Sequence, residues 1–305
     1  MIKIFLKALL LWSLFILSVT TDAYAAVKGI YVTQYSFENT AFLNYLIKHA
    51  KAAGIDTFVV DLELPSKRYR DNLDLLRQNH INYVARIIMF PGGGTPAQIE
   101  HPEVWQKKYG LVKQAVDWGA MKIQLDYIRY NTKQAATQQN AKNVLAIIQW
   151  YKDKLAEQHI PLEVDVFGIA SFGESKYIGQ NIQLFAKTVD GICPMVYPSH
   201  YFPFKEHFDT PYTTVYESLT SIQDQFDGKM PIKLIPYIEL TNYHFSMSHP
   251  KTLDYIRAQI KAVDDANADG WYAWSPHNRY DNLFYILEQR STAGVMTSPN
   301  QNNKS

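Results

Sequence analysis

One pattern constrains this chain more than any other. Short runs rich in β-branched and aromatic residues alternate with stretches of helical periodicity, eight times from Val27 onward. The strand-like runs are Gly29–Thr33, Thr57–Asp61, Ile81–Phe90, Lys122–Asp126, Leu162–Phe167, Gly191–Tyr197, Ile232–Ile238 and Gly270–Trp274. Between them, apolar residues recur at helical spacing. Leu43, Leu46, Ile47 and Ala50 are stopped by Gly54, Val112 and Val116 by Gly119, and Val144, Ile147, Ile148 and Tyr151 form a third such set. Leu253, Ile256, Ile260 and Val263 form another. Eight such pairs in about 265 residues predict an α/β chain folded as a single-domain (β/α)8 TIM barrel. A doubly wound sheet would want a glycine-rich turn after its first strand, and Thr33-Gln34-Tyr35-Ser36 is not one. No dinucleotide cofactor is expected.

Residues 1–25 stand apart from this pattern. Lys3 and Lys7 precede an apolar run from Ala8 to Val19, and Ala23-Tyr24-Ala25 has the small residues of a cleavage site. At about 12 residues the run is short for a bilayer span. It reads as a signal peptide of an exported bacterial protein, periplasmic or secreted, with no membrane attachment after cleavage. The barrel is expected over residues 26–290, and the polar tail 291–305 is expected to be disordered. The single cysteine, Cys193, excludes an internal disulfide and sits in an apolar run as a small hydrophobe. A formal net charge of +1 and the lack of a basic run argue against nucleic acid as a partner.

In a barrel of this kind chemistry gathers where the strands end. Alternation along Lys122–Tyr130 puts Gln124 and Asp126 on one face and Ile123 and Leu125 on the other. Asp126 then closes the fourth strand at the mouth. Asp61 closes the second strand, Arg86 lies within the third, and Asp165 within the fifth. Tyr197, His200 and Tyr201 follow the sixth, Glu239 the seventh and Trp274 the eighth, with Arg129 just beyond Asp126. Carboxylates beside aromatic faces suit a glycosidase, in which one acid protonates the leaving oxygen and the other attacks or activates water. Asp126 and Asp165 are the expected catalytic pair. Asp61, Arg86, Arg129, Tyr197, His200, Tyr201, Glu239 and Trp274 are the expected substrate contacts. Asp61 has the alternative of pairing with Arg86, and Glu239 that of a solvated loop acid. Arg129 is the nearest cation in sequence to Asp126, and Phe167 with Tyr197 would dry the surroundings of Asp165. His244 and His249 lack a metal-binding pattern, so no catalytic metal is expected. Gly92-Gly93-Gly94 lacks the Lys-Ser/Thr of a phosphate loop and reads as a flexible rim. Ser171 and Ser199 lack an evident triad.

These residues carry a resemblance. Gly29–Thr33, Val59-Val60-Asp61, Ala85-Arg86-Ile87, Gln124–Tyr130, Asp165–Gly168 and Pro194–Tyr201 resemble, in order, a family of bacterial barrel domains regarded as glycoside hydrolases and distantly alpha-amylase-like. The resemblance implies that Asp126 aligns with the fourth-strand nucleophile of amylase-like enzymes, and Asp165 with their general acid. Two departures stand out. Gln124 replaces the arginine usual two positions before the nucleophile, and Pro236-Tyr237-Ile238-Glu239 replaces a Pro-Trp-Leu-Gln-like run. The function implied is cleavage of an oligosaccharide or polysaccharide, including cell-envelope glycan. The alternative is an inactive barrel that binds carbohydrate.

The leader reading has a direct test. The exported protein should begin at Ala26, and mass spectrometry finding Met1 retained would overturn it.

Overall fold

The computed structural model describes residues 26–296 apart from 134, with side chains described as far as 289. The leader reading therefore lies outside the described residues. Eight parallel strands close into a barrel: Val27–Val32, Thr57–Asp61, Asn82–Ile88, Lys122–Asp126, Leu162–Phe167, Gly191–Met195, a seventh in two pieces, and Gly270–Trp274. Each strand pairs with its neighbours in sequence, and closure is made by the first strand on the last, with Val27 opposite Gly270. The seventh strand was expected as one run, Ile232–Ile238. It is broken into Lys233–Leu234 and Tyr237–Glu239, because Pro236 between the pieces has no N–H for the ladder.

Alternation sorts the strand side chains into two environments. Outward residues such as Ile30, Val32, Phe58, Val60, Ile123 and Leu125 pack against the helices. The helix Thr40–Ala52, capped by the Asn39 side chain, buries Leu43, Leu46, Ile47 and Ala50 there. The helix Gln138–Ala156 buries Val144, Ile147, Ile148 and Tyr151. Each such aliphatic side chain contributes about 1.5–3 kcal/mol on leaving water, so this interface carries most of the stability. Inward residues form a smaller cluster of Tyr31, Val59, Val84, Cys193, Tyr237 and Tyr272. Gly29 makes room for it: a Cβ there would lie 2.6 Å from the Tyr272 ring.

Below that cluster the barrel interior is polar and internally satisfied. Glu163, 2% exposed, accepts from Lys122 Nζ at 2.5 Å, from Tyr272 Oη at 3.0 Å and from Gln124 Nε2 at 3.3 Å. Gln124 in turn accepts from Tyr237 Oη at 2.6 Å. A buried carboxylate is tolerable only with such partners.

The last helix, Asp281–Met296, runs past residue 290, where the domain was expected to end, and the rest of the tail lies outside the described residues. No helix among the described residues is long and apolar enough to cross a membrane.

Candidate active site

Strand register brings one cation and three acids to the mouth of the barrel. Asp61 lies opposite Arg86, and Ile88, two residues on, lies opposite Asp126. All three side chains point inward, and Asp165 joins them from the fifth strand. Arg86 Nη1 is paired with Asp61 Oδ1, Nη2 with Asp126 Oδ2, and Nε with Asp165 Oδ2 at 3.4 Å. All four residues are buried, and the guanidinium fills the space between the carboxylates. Asp126 and Asp165 hold neighbouring nitrogens of one planar group. Both carboxyls therefore lie against one guanidinium edge, close enough to stay within the roughly 10 Å that a two-carboxylate mechanism needs.

The acids are not equivalent. Asp126 is in an ion pair with Arg86 and also accepts the Tyr127 N–H at 2.5 Å. Asp165 is the deepest, 1% exposed, and its Oδ1 has no hydrogen-bond partner among the described residues. Burial first, and then the charge of Asp126, push its carboxyl well above the usual range, against the pull of Arg86. Burial likewise raises Asp61, against the pull of Arg86. A single guanidinium cannot neutralise three buried carboxylates, so the surplus negative charge favours retention of a proton.

Asp126 and Asp165 form part of the lining of a cleft of about 650 Å³, within the usual range for ligand sites. One wall comes from the ends of strands four and five, with Tyr127, Phe167 and Tyr177. The other comes from strands six to eight, with Tyr197, His200, Tyr201 and Trp274. Trp274 stacks on Tyr197 at 5.2 Å and 22° and meets Tyr243 at 5.8 Å. Of the expected contacts, Arg86, Tyr197, His200, Tyr201 and Trp274 line the same cleft as Asp126 and Asp165, as does Phe167.

Three expected contacts lie elsewhere. Asp61 is closed off by its pair with Arg86 and by Tyr31 Oη at 2.5 Å, so it acts as a counter-ion. Arg129 makes no ion pair among the described residues. Its guanidinium lies 4.3 Å from the Phe167 ring centroid and donates to Tyr130 O, leaving Arg86 as the cation on Asp126. Glu239 is not a solvated loop acid. It is fully buried and accepts from Ser199 N–H at 2.8 Å, Ser199 Oγ at 2.5 Å and Tyr255 Oη at 2.5 Å. The triple glycine is not a loose rim either. Gly94 N–H donates to Arg129 O at 2.8 Å, and a Cβ on Gly93 would sit 2.5 Å from Arg129 Nη1. Close approach of two loops, rather than mobility, is what requires glycine there.

Sequence reasoning missed Tyr237, Tyr243, Tyr177 and Glu163. Tyr237 and Glu163 had a signal, the period-two inward phase of their strands. Tyr177 and Tyr243 sit on loops without periodicity, and no pattern marks them.

The cluster predicts a specific instability. Arg86→Met should cost about 3–5 kcal/mol, because it strands buried carboxylates without a counter-charge. Carboxyls whose folded pKa is raised favour folding below about pH 4 and lose that contribution as pH rises. The deficit should therefore widen between about pH 4 and 7 in urea unfolding curves, and a pH-independent loss would contradict the account.

Comparison with known proteins agrees with the geometry at the level of fold. The chain is similar to the spore cortex-lytic enzyme SleL of Bacillus megaterium QM B1551, with TM-score 0.61, 11% identity, and coverage of 87% of this chain and 73% of that one. It is similar to the endo-beta-1,4-mannanase of Thermotoga petrophila, with TM-score 0.64, 9% identity, and coverage of 92% and 79%. The chitinase of Chromobacterium violaceum ATCC 12472 gives TM-score 0.57, 14% identity, and coverage of 87% and 98%. No curated protein sequence matches the chain. The family model described as "Putative glycosyl hydrolase domain" matches residues 96–280, more than half of the sequence, and the chain belongs to that family.

Proposed function

We propose that the cleft hydrolyses glycosidic bonds in a polysaccharide or cell-envelope glycan, with Asp165 as general acid and Asp126 as its partner carboxylate. One observation carries the reading: Asp165 Oδ1 lies buried at the cleft with no hydrogen-bond partner among the described residues, on a carboxyl whose pKa is pushed up by burial and by the charge of Asp126. Such a group can give its proton to a leaving oxygen as the C–O bond breaks. Asp126 then attacks the anomeric carbon, or takes a proton from water that does. Carboxyls about 5–5.5 Å apart imply the first course and retained configuration, and about 6.5–9.5 Å the second and inversion. The aromatic walls suit the C–H faces of sugar rings. The leader-like N-terminus supports export, and the names of proteins with similar folds make cortex, chitin and mannan reasonable first substrates.

A second reading is a barrel that binds glycan without cleaving it. The contact of Arg86 with both carboxylates favours it, since the same charges hold the resting site together.

Screening the protein against oligosaccharides and aryl glycosides separates the two. Asp126→Asn should abolish turnover with the fold intact. Asp165→Ala should slow cleavage of an unactivated glycan by about 10²–10⁴-fold, yet spare the first step on an aryl glycoside whose leaving group needs no proton. Wild-type turnover by Asp126→Asn on a confirmed substrate would overturn the assignment. Trp274→Ala should weaken glycan binding by about 1–3 kcal/mol, the scale of one large apolar contact, and an unchanged calorimetric isotherm would return Trp274 to the core.

A further inference from the structure

Glu239 has both oxygens committed, yet it touches the cleft only through a neighbour. Its Oε2 lies 2.5 Å from Ser199 Oγ, and Ser199 Oγ lies 3.4 Å from His200 Nδ1. His200 is exposed on the cleft wall, its ring held between Tyr197 at 5.3 Å and Tyr243 at 5.5 Å. Its ring makes no other hydrogen bond among the described residues, which leaves Nε2 for a ligand.

We propose that Glu239, acting through the Ser199 hydroxyl, sets which ring nitrogen of His200 carries the proton, and so whether the wall offers a sugar hydroxyl a donor or an acceptor. The balance of protons fixes the two states. With Glu239 ionised, Ser199 Oγ–H donates to the carboxylate. Ser199 Oγ then accepts from His200 Nδ1–H, and Nε2 presents a lone pair. With Glu239 protonated, its O–H donates to Ser199 Oγ. The serine proton turns to Nδ1, and the imidazole carries its proton on Nε2, exchanged through solvent.

The surroundings allow this chain to switch. Burial pushes Glu239 up to about 7, with the Ser199 and Tyr255 hydrogen bonds pulling the other way. Ser199 faces it from the loop after strand six. Tyr255 and Gln259 face it from the helix His249–Asp265, and Tyr243 lies close enough to feel its charge. None of these is a cation. Partial desolvation by the cleft wall, and then His244, lower the pKa of His200, which favours a neutral ring. Glu239 and Ser199 are thus positioning residues, and only the use of His200 toward sugar rests on the proposed hydrolase reading.

The test needs no substrate. Histidine-ring ¹⁵N spectra of the whole protein would be recorded through about one pH unit on either side of neutrality, with His200→Ala to assign the signal. The wild type should pass from the Nε2–H to the Nδ1–H form as pH rises. Glu239→Gln, whose carboxamide always donates to Ser199, should hold the Nε2–H form throughout, and Ser199→Ala should lose the pH response. Unchanged signals from the other histidines report an intact fold. If Glu239→Gln fails to fold, Ser199→Ala decides alone. A wild-type tautomer that does not change, or a switch that survives in the folded variants, would overturn the proposal. A switch seen in a protein that cleaves no glycan would leave it standing and remove the hydrolase reading instead.

Discussion

Arg86 and its three aspartates set the terms for the mouth of the barrel. Four neighbouring strands contribute to the group, so its pairs tie the second strand to the fifth across the third and fourth. Exposed pairs such as Lys67–Asp71 and Lys205–Asp209 contribute about 0.3–0.5 kcal/mol each at most, being helical and screened by water. A buried charge left alone costs several kcal/mol. The imbalance of one positive group against three negative ones is therefore a chemical property as much as a structural one. It is relieved by a proton, and the deepest carboxyl, Asp165, is where burial and repulsion favour keeping it.

The rest of the site follows from where the barrel permits polarity. At the base, Glu163, Lys122, Gln124, Tyr237 and Tyr272 satisfy one another, so Tyr237 both closes that network and reaches the cleft. Above them, the aromatic side chains on strands six to eight face those at the ends of strands four and five. The electrostatic floor and the parts of the walls made by Phe167, Tyr197 and Trp274 thus continue the same inward phase of successive strands, while Tyr127, Tyr177 and Tyr243 are added by the loops.

That phase is also why so much was legible in the sequence. Period-two alternation around Asp126 and helical spacing around Leu43 or Val144 reflect burial on a regular backbone, and the barrel follows from their repetition. Tyr197 and Trp274 fell out at strand ends, and Arg86 and Asp165 within strands, for the same reason. What failed was partner choice. Nearness in sequence suggested Arg129 for Asp126, whereas register across the sheet supplies Arg86, 40 positions away. Glu239 looked exposed because a strand end with a polar residue resembles a loop. Its burial depends on Ser199 and Tyr255, which only the fold brings near. The break at Pro236 was written in the sequence but hidden by the apolar residues around it.

Tyr127 carries a different kind of information. It is not glycine, yet its φ is 52°, in the left-handed region, at the point where the fourth strand stops and Asp126 is held by the Tyr127 N–H. That conformation costs roughly 1–2 kcal/mol for an ordinary L-residue. The ring it projects lines the cleft. Any selection for heat resistance alone would favour glycine or asparagine here, relaxing the backbone while stripping a ring from the wall. At this position thermal robustness and ligand recognition pull in opposite directions, and a library ranked by melting temperature would discard the very side chain the cleft uses.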